Sequence, residues 1–428
     1  MIITYYWPPS GGVGVQRWMN FALQLKKRNW QPIILTPENP QFEIKDEKLV
    51  ERVQELEVHK LPIWEPFQLF HKLTGNKERK NIKQGLVLEK TTKTFMDTLA
   101  VWVRGNLFIP DPRVFWYREA SDFAIKLIKG EGIETVVTTG PPHSVHLIGR
   151  RIKRKTRVNW IADFRDPWSK WDILEKLNTS PLSMYMHKRL EAAVIKEADV
   201  VMTVSNRLAK SLGGAEVLNN GISVNQHVTS NPDAAQFTIG YFGMLNELRN
   251  PSQFWMLLDQ MCRENEDFGA KLRIRIGGIV SESIKEELGR FRALKDKIEF
   301  LGYLPHEKVQ DEYRKCNLLL LLLNKSDNSQ WILPVKFFEY LSASRMILAL
   351  GPKKSDLGEI MNKADVGEIC SYSDIQGMRS FVEEVFEEQI TPSKAEIMTL
   401  LHRFSHENLV EKLEEVLNQL TKQKEEIK

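Results

Sequence analysis

The sequence YYWPPSGGVGVQRW, residues 5–18, places two prolines and three glycines between an apolar, strand-like run and a helical pattern. Apolar residues recur at helical spacing over residues 15–25, directly after the glycines. Glycines at the start of a helix let an anion approach free backbone N–H groups, and the helix dipole favours negative charge there. The stretch therefore predicts a strand, a helix and, between them, an anion-binding loop at Gly11, Gly12 and Gly14. The alternative is a tight turn that holds no ligand.

The composition is typical of a soluble chain with two domains. The 428 residues suit two domains of about 200 residues each. A formal charge of +4 does not imply a nucleic-acid partner. The three cysteines show no CxxC pairing, which argues against a zinc site or a disulfide framework and suits a reducing compartment.

Membrane insertion and secretion are not expected. No charged region with a cleavage site precedes the first strand. The most apolar run, residues 318–323, is far shorter than the ~20 residues of a membrane span. We expect a cytoplasmic protein, and attachment to a membrane surface stays open.

Short apolar runs alternate with amphipathic helical stretches along the whole chain, and this alternation predicts a parallel α/β architecture. The pattern occurs twice and is interrupted by a polar, linker-like stretch at residues 223–236. It predicts two doubly wound domains in tandem, residues 1–222 and residues 237–404. Residues 405–428 form a further helix, which we expect to pack back on the first domain.

Residues 63–117 do not follow this alternation of strand and helix patterns and are interpreted as an insertion on the first domain. They combine a basic stretch between Lys72 and Lys83 with many aromatic residues. This combination suits attachment to an anionic membrane surface. The alternative is an ordinary charged surface over a small hydrophobic cluster.

The glycine loop alone does not identify its ligand. A dinucleotide site requires G-x-G-x-x-G and an acidic residue after the second strand. Glu38 lies near the position of that acid, but Arg17 occupies the position of the third glycine. A dinucleotide and a sugar nucleotide therefore both remain open at this point.

The stretch WILPVKFFEYLSASRMILALGP, residues 331–352, predicts a loop, a helix that begins near Pro334, and a strand. Lys336 and Glu339 are three residues apart and share one helix face. A lysine there can meet a phosphate, and a glutamate can accept two hydrogen bonds from a ribose diol. The alternative is a surface ion pair that contributes little.

Two further motifs follow predicted strands of the first domain, at the sheet edge where ligands bind in such folds. In TGPPHS, His143 could hydrogen-bond a donor sugar or tie down its loop. In DFRDPW, residues Asp163, Arg165 and Asp166 could contact a sugar or acceptor, or form an internal Arg–Asp network. His146 is expected to be structural.

Taken together, the tandem halves, the glycine loop, NNGIS, FLGYLPHEKV and PVKFFEYL resemble the retaining glycosyltransferases of family four, which have the GT-B fold. The likeness covers nearly the whole chain. TYYWPPSGGVGVQRW, TGPPHSVHLIGRR and IADFRDPW resemble a bacterial subgroup associated with surface polysaccharides. The resemblance implies two Rossmann-like domains that face a central cleft. It also implies transfer of a sugar from a nucleotide-sugar donor to a saccharide acceptor, expected to be lipid-linked.

The resemblance also implies roles for individual residues. Glu339 matches the family's ribose-binding glutamate. Trp331 occupies the position of a second family glutamate, so that half of the motif is missing, and backbone N–H groups around Leu333 are the expected substitute. Arg249 and Lys336 would bind the diphosphate, with the glycine loop facing it across the cleft.

The implied mechanism stabilises the charge that grows on the departing nucleoside diphosphate. The expected catalytic residues are Arg249, Lys336 and His143. No convincing Asp-x-Asp motif is present, so neither a metal nor another cofactor is expected, and the nucleotide sugar is a substrate. The departing phosphate would accept the acceptor's proton, so no enzyme nucleophile is needed. The alternatives are a sugar-nucleotide epimerase, a more distant dinucleotide-dependent oxidoreductase, and a silent homologue that only binds the sugar nucleotide.

Overall fold

The computed structural model describes residues 1–40, 45–65, 95–222 and 232–426. The chain divides into two compact units: unit 1 comprises Met1–Gly221 and His406–Lys428, and unit 2 comprises Ile222–Ser405. The basic stretch between Lys72 and Lys83 and most of the predicted linker lie outside the described residues.

Unit 1 is built on a sheet of seven parallel strands in the order β3-β2-β1-β4-β5-β6-β7. The strands are β1 (Ile2–Ile3), β2 (Ile33–Pro37), β3 (Glu57–Leu61), β4 (Thr135–Gly140), β5 (Asn159–Phe164), β6 (Val200–Thr203) and β7 (Glu216–Val217). In register, Ile2 lies opposite Ile34 on one side and Val137 on the other. Strand order therefore reverses between β1 and β4, which makes the carboxyl ends of these two strands the expected ligand site of the sheet.

Helices connect these strands in unit 1. They are α1 (Val13–Lys27), α2 (Lys48–Arg52), α3 (Phe95–Asn106), α4 (Tyr117–Glu131), α5 (Ser144–Lys155), α6 (Asp172–Lys176), α7 (Pro181–Glu197) and α8 (Asn206–Ser211). A 3₁₀ turn at Pro112–Trp116 precedes α4. Helix α1 buries Val15, Trp18 and Ala22, as its spacing predicts, in a core shared with Ile2 and Ile34.

Unit 2 repeats the same design with six parallel strands in the order β10-β9-β8-β11-β12-β13. The strands are β8 (Phe237–Phe242), β9 (Leu272–Gly277), β10 (Ile298–Gly302), β11 (Leu318–Leu322), β12 (Met346–Leu350) and β13 (Gly367–Cys370). Its helices are α9 (Ser252–Glu264), α10 (Glu266–Lys271), α11 (Glu282–Gly289), α12 (His306–Arg314), α13 (Val335–Ser342), α14 (Asp356–Ala364), α15 (Ile375–Phe386) and α16 (Lys394–Arg403).

Strand β11 shows why the sequence of unit 2 contains a run of leucines. Leu318 and Leu320 belong to the core on one face of the sheet, and Leu319 and Leu321 belong to the core on the other. A parallel strand covered by helices on both faces has no solvent side, so its residues are apolar without alternation.

The chain returns to unit 1 through α17 (His406–Glu426). Leu409, Val410 and Leu413 of this helix are buried in the same core as α1. Arg28, at the end of α1, makes ion pairs with Glu411 (2.8 Å) and with a second glutamate of α17. Unit 1 therefore contains both the first residues of the chain and its last helix.

The predicted class, α/β with two doubly wound domains in tandem, is confirmed. The second unit comprises Ile222–Ser405, whereas the sequence predicted a domain of residues 237–404 after a linker. Helix α17 extends to Glu426. The sequence analysis missed the edge strands β3 and β13. Both include half-buried residues, so their apolar pattern is weak. The predicted cleft between the domains stays a prediction.

Among the described residues, no helix combines the length and the apolar character that crossing a bilayer requires.

Candidate functional site

The reversal of strand order in unit 2 lies between β8 and β11, and the residues that follow these two strands define a candidate site. Two loops meet there through hydrogen bonds. Arg249, after β8, donates from Nε to Oδ1 of Asn324, after β11, at 2.7 Å. The backbone N–H of Lys325 donates to the carbonyl of Leu248 at 2.8 Å. The half-buried Arg249 is thus held between both loops.

The carboxyl ends of β8, β9 and β10 form a surface of backbone, here called the glycine floor: Gly243, Gly278 and Gly302. The N–H of Gly278 donates to the carbonyl of Gly302 at 2.7 Å. Gly278 has a φ of +114°, and a Cβ there would lie 2.2 Å from the carbonyl oxygen of Gly243. Any side chain at this position would clash with the protein's own main chain, so only glycine fits where the segments after β8 and β9 meet.

Lys336 lies in the first turn of α13, beside the glycine floor. Its Cε is 3.3 Å from the position that a Cβ on Gly243 would take. Burial lowers the pKa of Lys336; the charge of Glu339 opposes this shift and that of Arg249 adds to it. Within the described part of the chain, no carboxylate forms an ion pair with Lys336. A partly desolvated cation without a counterion favours an anionic ligand.

Glu339 lies one turn further along α13 and is held by a tyrosine. The hydroxyl of Tyr313 donates to its Oε2 at 2.9 Å. Burial, together with this carboxylate, raises the pKa of Tyr313, which keeps the hydroxyl protonated as a donor. No described residue donates to Oε1. The surface ion pair between Lys336 and Glu339 that we considered as the alternative does not form, and one carboxylate oxygen remains available to a diol.

The loop before α13 contains the other two predicted donor positions. Trp331 ends a 3₁₀ turn at Asp327–Trp331 and is half-buried. Leu333 is buried in the core, directly before Pro334 and the helix. Within the described residues, no side chain caps the amino terminus of α13, and its first turn carries no acidic residue. The N–H of Phe337 donates to the carbonyl of Pro334 at 3.1 Å, so the N–H groups of Val335 and Lys336 are the ones available to a ligand.

The glycine loop of unit 1 leads into α1 as predicted. Gly12 is the residue that precedes the helix and has a φ of +84°; no side chain of the described part caps the helix. Gly11 is half-buried and Gly12 is exposed. Because the first turn of α1 also lacks acidic residues, its amino terminus has the chemistry of an anion site.

Arg165 braces this loop. Its Nη1 donates to the carbonyl of Gly14 at 2.6 Å, and its Nε donates to the carbonyl of Gly140 at 3.3 Å. Nη2 donates to the carbonyl of Pro141. The guanidinium thereby connects the loops after β1 and β4, and its donors are directed at the protein's own main chain.

Asp163 lies inside unit 1 and forms the internal network that was one of our two interpretations of DFRDPW. Its carboxylate accepts hydrogen bonds from Arg17 (2.8 and 3.2 Å), Trp18 Nε1 (2.6 Å) and Thr139 Oγ1 (2.8 Å). Burial alone would raise the pKa of Asp163, but Arg17 and these donors hold it below its ordinary value. A fully buried carboxylate with this many donors is not placed to contact a substrate.

Arg17 is the residue that the sequence reasoning missed. It was noted only as a departure from the dinucleotide motif. The structure shows a buried guanidinium that holds Asp163 and also donates to the carbonyl of Asn219 at 2.8 Å. The signal was the presence of a charged residue on the apolar face of α1.

Asp166 is the carboxylate of DFRDPW that stays half-exposed. Burial raises its pKa; Arg165 opposes this shift and Asp172 adds to it. Among the three residues of the motif, Asp166 is the one that the geometry leaves accessible for an acceptor.

His143 and His146 occupy an aromatic cluster at the start of α5. His143 is buried and stacks on Trp168, with ring centroids 5.0 Å apart. The carbonyl of Pro167 is near, but neither ring nitrogen makes a hydrogen bond of acceptable geometry with a described residue. Burial lowers the pKa of His143, so the ring is neutral near pH 7. A buried imidazole with unmatched nitrogens is a candidate for a polar ligand.

The contacts of His146 fit the structural role expected of it, and its Nε2, like the ring nitrogens of His143, has no hydrogen-bond partner among the described residues. Its Nδ1 lies 3.0 Å from the hydroxyl of Thr138, and its ring stacks on Phe164 with centroids 4.4 Å apart.

No family model and no curated protein matches the sequence. Solved structures do match it over 98% or more of the chain. A lipopolysaccharide outer core galactosyltransferase, WaaB, in its apo form has a TM-score of 0.59 and 11% identity, with 98% of both chains covered. HepE from Anabaena, in complex with UDP-glucose, has a TM-score of 0.58 and 10% identity, again with 98% of both chains covered. A candidate UDP-N-acetylglucosamine 2-epimerase from Listeria monocytogenes has a TM-score of 0.53 and 10% identity, covering 99% of this chain and 96% of that one.

These similarities establish the fold. The chain has the GT-B fold, which consists of two Rossmann-like domains. The similar structures include a galactosyltransferase and a candidate epimerase, so the fold alone does not assign an activity.

Proposed function

We propose that the protein is a glycosyltransferase that moves a sugar, with retention, from a nucleotide-sugar donor to a saccharide acceptor. The acceptor is proposed to be lipid-linked, in the synthesis of a cell-surface polysaccharide at the cytoplasmic face of the membrane. The observation that carries this proposal is the cluster of Lys336, Glu339 and Arg249 beside the glycine floor of unit 2.

Each member of this cluster matches one part of a nucleotide sugar. The unpaired Lys336 and the anchored Arg249 supply positive charge for a diphosphate. The available oxygen of Glu339 can accept hydrogen bonds from a ribose diol, while Tyr313 fixes the other oxygen. The uncapped start of α13, next to Leu333, adds the backbone N–H groups of Val335 and Lys336.

The same groups would perform the catalysis. When the sugar–phosphate bond breaks, negative charge grows on the departing diphosphate, and fixed cations in a desolvated site stabilise it. Lys336 and Arg249 would do this without a metal. The departing phosphate would then take the proton of the attacking hydroxyl, so that attack occurs on the same face and the anomeric configuration is retained.

Unit 1 contributes three features to the proposal. The loop of Gly11, Gly12 and Gly14 offers a second anion site at the start of α1. His143 is proposed to hydrogen-bond the donor sugar, because its buried ring nitrogens have no other partner of good geometry among the described residues. Asp166 is proposed to contact the acceptor. Asp163 and Arg165 then act indirectly by holding the loops in place.

The test is a panel of common nucleotide hexoses incubated with and without saccharide acceptors, with released nucleoside diphosphate and product anomers measured by NMR. We expect diphosphate release for at least one donor. We also expect a product with the donor's anomeric configuration, without added metal and in the presence of a chelator. Lys336→Met should lower turnover strongly. Lys285→Met should not, because Lys285 is a surface lysine of the same unit that pairs with Glu282.

Other outcomes assign other functions. Conversion of the donor sugar to its epimer without an acceptor would favour the epimerase, whose fold this chain shares. Inversion at the anomeric carbon, abolished by Asp166→Asn, would make Asp166 a general base and exclude the retaining mechanism. Thermal stabilisation by a donor without turnover would favour a silent binding protein, in line with Trp331 at the position of the missing glutamate.

A further inference from the structure

Unit 1 exposes large apolar side chains in three segments: before residue 66, along α3 and the 3₁₀ turn, and at the start of α7. Among the described residues of this unit, eight of the nine exposed large apolar side chains lie there. They are Trp64, Leu99, Trp102, Leu107, Phe115, Leu182, Tyr185 and Met186. The most exposed are Leu182, at 71%, and Leu107, at 63%. We call this set the apolar surface.

These segments adjoin one another in space. The side-chain oxygen of Asn106, the last residue of α3, accepts hydrogen bonds from the N–H of Ser180 (2.7 Å) and the hydroxyl of Ser183 (3.0 Å) at the start of α7. The rings of Trp64 and Phe115 are 4.6 Å apart. The rings of Phe108, just after α3, and Phe115 are 5.9 Å apart and connect α3 to the 3₁₀ turn. The apolar surface therefore lies on adjoining segments of the chain.

Five of the eight exposed residues lie on faces of α3 and α7 that nothing in the described structure covers. Leu99 and Trp102 are three apart on α3, and Leu182, Tyr185 and Met186 follow helical spacing on α7. Helix α7 buries Ser183, His187 and Val194 with its opposite face. An exposed apolar patch of this extent marks an interaction surface.

We propose that the apolar surface binds the interface of a lipid bilayer with anionic headgroups. Two observations favour this occupant. First, tryptophan and tyrosine are combined with leucine and methionine, and α7 continues directly into the exposed Lys188 and Arg189. Rings with a polar tip beside basic side chains suit the boundary between headgroups and acyl chains.

The second observation is the composition of the sequence between Trp64 and α3, which both belong to the apolar surface. Residues 66–94, which the structure does not describe, follow Glu65, next to Trp64, and precede α3. They contain seven lysines and arginines and two glutamates. Anionic lipid attracts such a basic segment, each charge adding to the apolar contact.

A second copy of the chain fits less well. A two-fold dimer places the same patch against itself. Both halves of such an interface would carry the positive charge of Lys188 and Arg189 at its border, and like charges across an interface oppose binding.

The proposal rests on the proposed function in one respect, since a membrane-bound enzyme would meet a lipid-linked acceptor where it is embedded. It extends the surface beyond the basic and aromatic insertion of residues 63–117 to α7, which the sequence did not indicate. The experiment below measures lipid binding independently of donor binding, so either proposal can fail alone.

The experiment is co-sedimentation of the full chain with vesicles of phosphatidylglycerol and phosphatidylcholine, compared with phosphatidylcholine alone. The first variant is Trp102→Ser with Tyr185→Ser; the second is Lys188→Glu with Arg189→Glu. The matched control is Met256→Ser with Met398→Ser, two side chains of unit 2 that are 49% and 51% exposed. Donor binding is titrated in every variant.

We expect wild-type and control proteins to bind the anionic vesicles. Each surface variant should bind roughly tenfold more weakly, which corresponds to about 1.4 kcal/mol. Donor affinity should be unchanged throughout. Failure of the wild-type chain to bind anionic vesicles would overturn the proposal, as would full binding by both surface variants. The proposal would also be overturned if the wild type were a dimer in sedimentation equilibrium and the variant Trp102→Ser with Tyr185→Ser were a monomer. The surface would then bind a second copy of the chain.

Discussion

Asp163→Asn should destabilise unit 1 strongly, because it leaves a buried guanidinium without its counterion. The side chains of Arg17 and Asp163 are 2% and 0% exposed, and Nη2 to Oδ1 is 2.8 Å. Breaking a buried ion pair on one side costs about 3–5 kcal/mol. For a domain of this size that corresponds to a fall in melting temperature of roughly 6–20 °C. Trp18 and Thr139 also lose a charged acceptor, so the upper half of this range is expected.

The assay is urea unfolding followed by circular dichroism, with thermal unfolding as a second measurement. The control is Asp122→Asn, which removes the partner of Arg151 in a surface pair where the aspartate side chain is 57% exposed. A surface pair contributes about 0–1 kcal/mol, so this variant should unfold nearly like the wild type. If Asp163→Asn is also within 1 kcal/mol of the wild type, the buried network is not what holds the loops of unit 1.

The ion pair of Arg17 and Asp163 also predicts that the free energy of unfolding falls at acid pH. The pKa of Asp163 in the folded protein lies below its ordinary value of 3.8, so the unfolded chain takes up the proton first as pH falls. The contribution of the pair is complete above the ordinary pKa and is lost as pH falls below it, toward the lowered folded value. Asp163→Asn should lack this part of the acid destabilisation.

Two further predictions concern unit 2. The pKa of Lys336 is lowered by burial, so its charge is lost at a lower pH than in an ordinary lysine. Donor affinity measured by calorimetry should therefore fall as pH rises through this lowered pKa, whereas Lys336→Arg should extend binding to higher pH; identical pH profiles would contradict the role of the lysine. Gly278→Ala should lower the free energy of unfolding, measured with urea, by about 1–3 kcal/mol because of the positive φ at this position. It should also weaken donor binding, because a Cβ would lie 2.2 Å from a carbonyl oxygen. Gly289→Ala, where a Cβ would meet nothing within 4 Å, is the matched control, and equal behaviour of the two variants would remove the glycine floor from the site.

Features encoded by neighbouring residues were predictable from the sequence. Short apolar runs, the leucines of β11 among them, indicated the strands of a parallel sheet, and Pro334 indicated the start of α13. The glycine loop before α1 was predictable for the same reason, since glycine at a helix start has a local, conformational cause.

Features that depend on distant partners were not predictable. Arg17 and Asp163 are 146 residues apart, and only the sheet brings α1 next to the end of β5. Glu339 was expected to pair with Lys336 or a ribose, but Tyr313 of α12 holds one of its oxygens. The exposed face of α7 is a property of what packs around it, so its sequence gave no sign of the apolar surface.

The central claim is that Lys336, Arg249 and Glu339 bind a nucleotide sugar, and its most direct test is calorimetric titration of wild type and Glu339→Ala with each common activated hexose. We predict binding of at least one donor by the wild type. Loss of the hydrogen bonds to the carboxylate, worth about 1.5–3 kcal/mol, should weaken that affinity roughly tenfold to a hundredfold in the variant. The variant should still fold, with a free energy of unfolding lower by about 1–3 kcal/mol, because the buried hydroxyl of Tyr313 loses its acceptor. No heat with any donor, or wild-type affinity in Glu339→Ala, would contradict the claim.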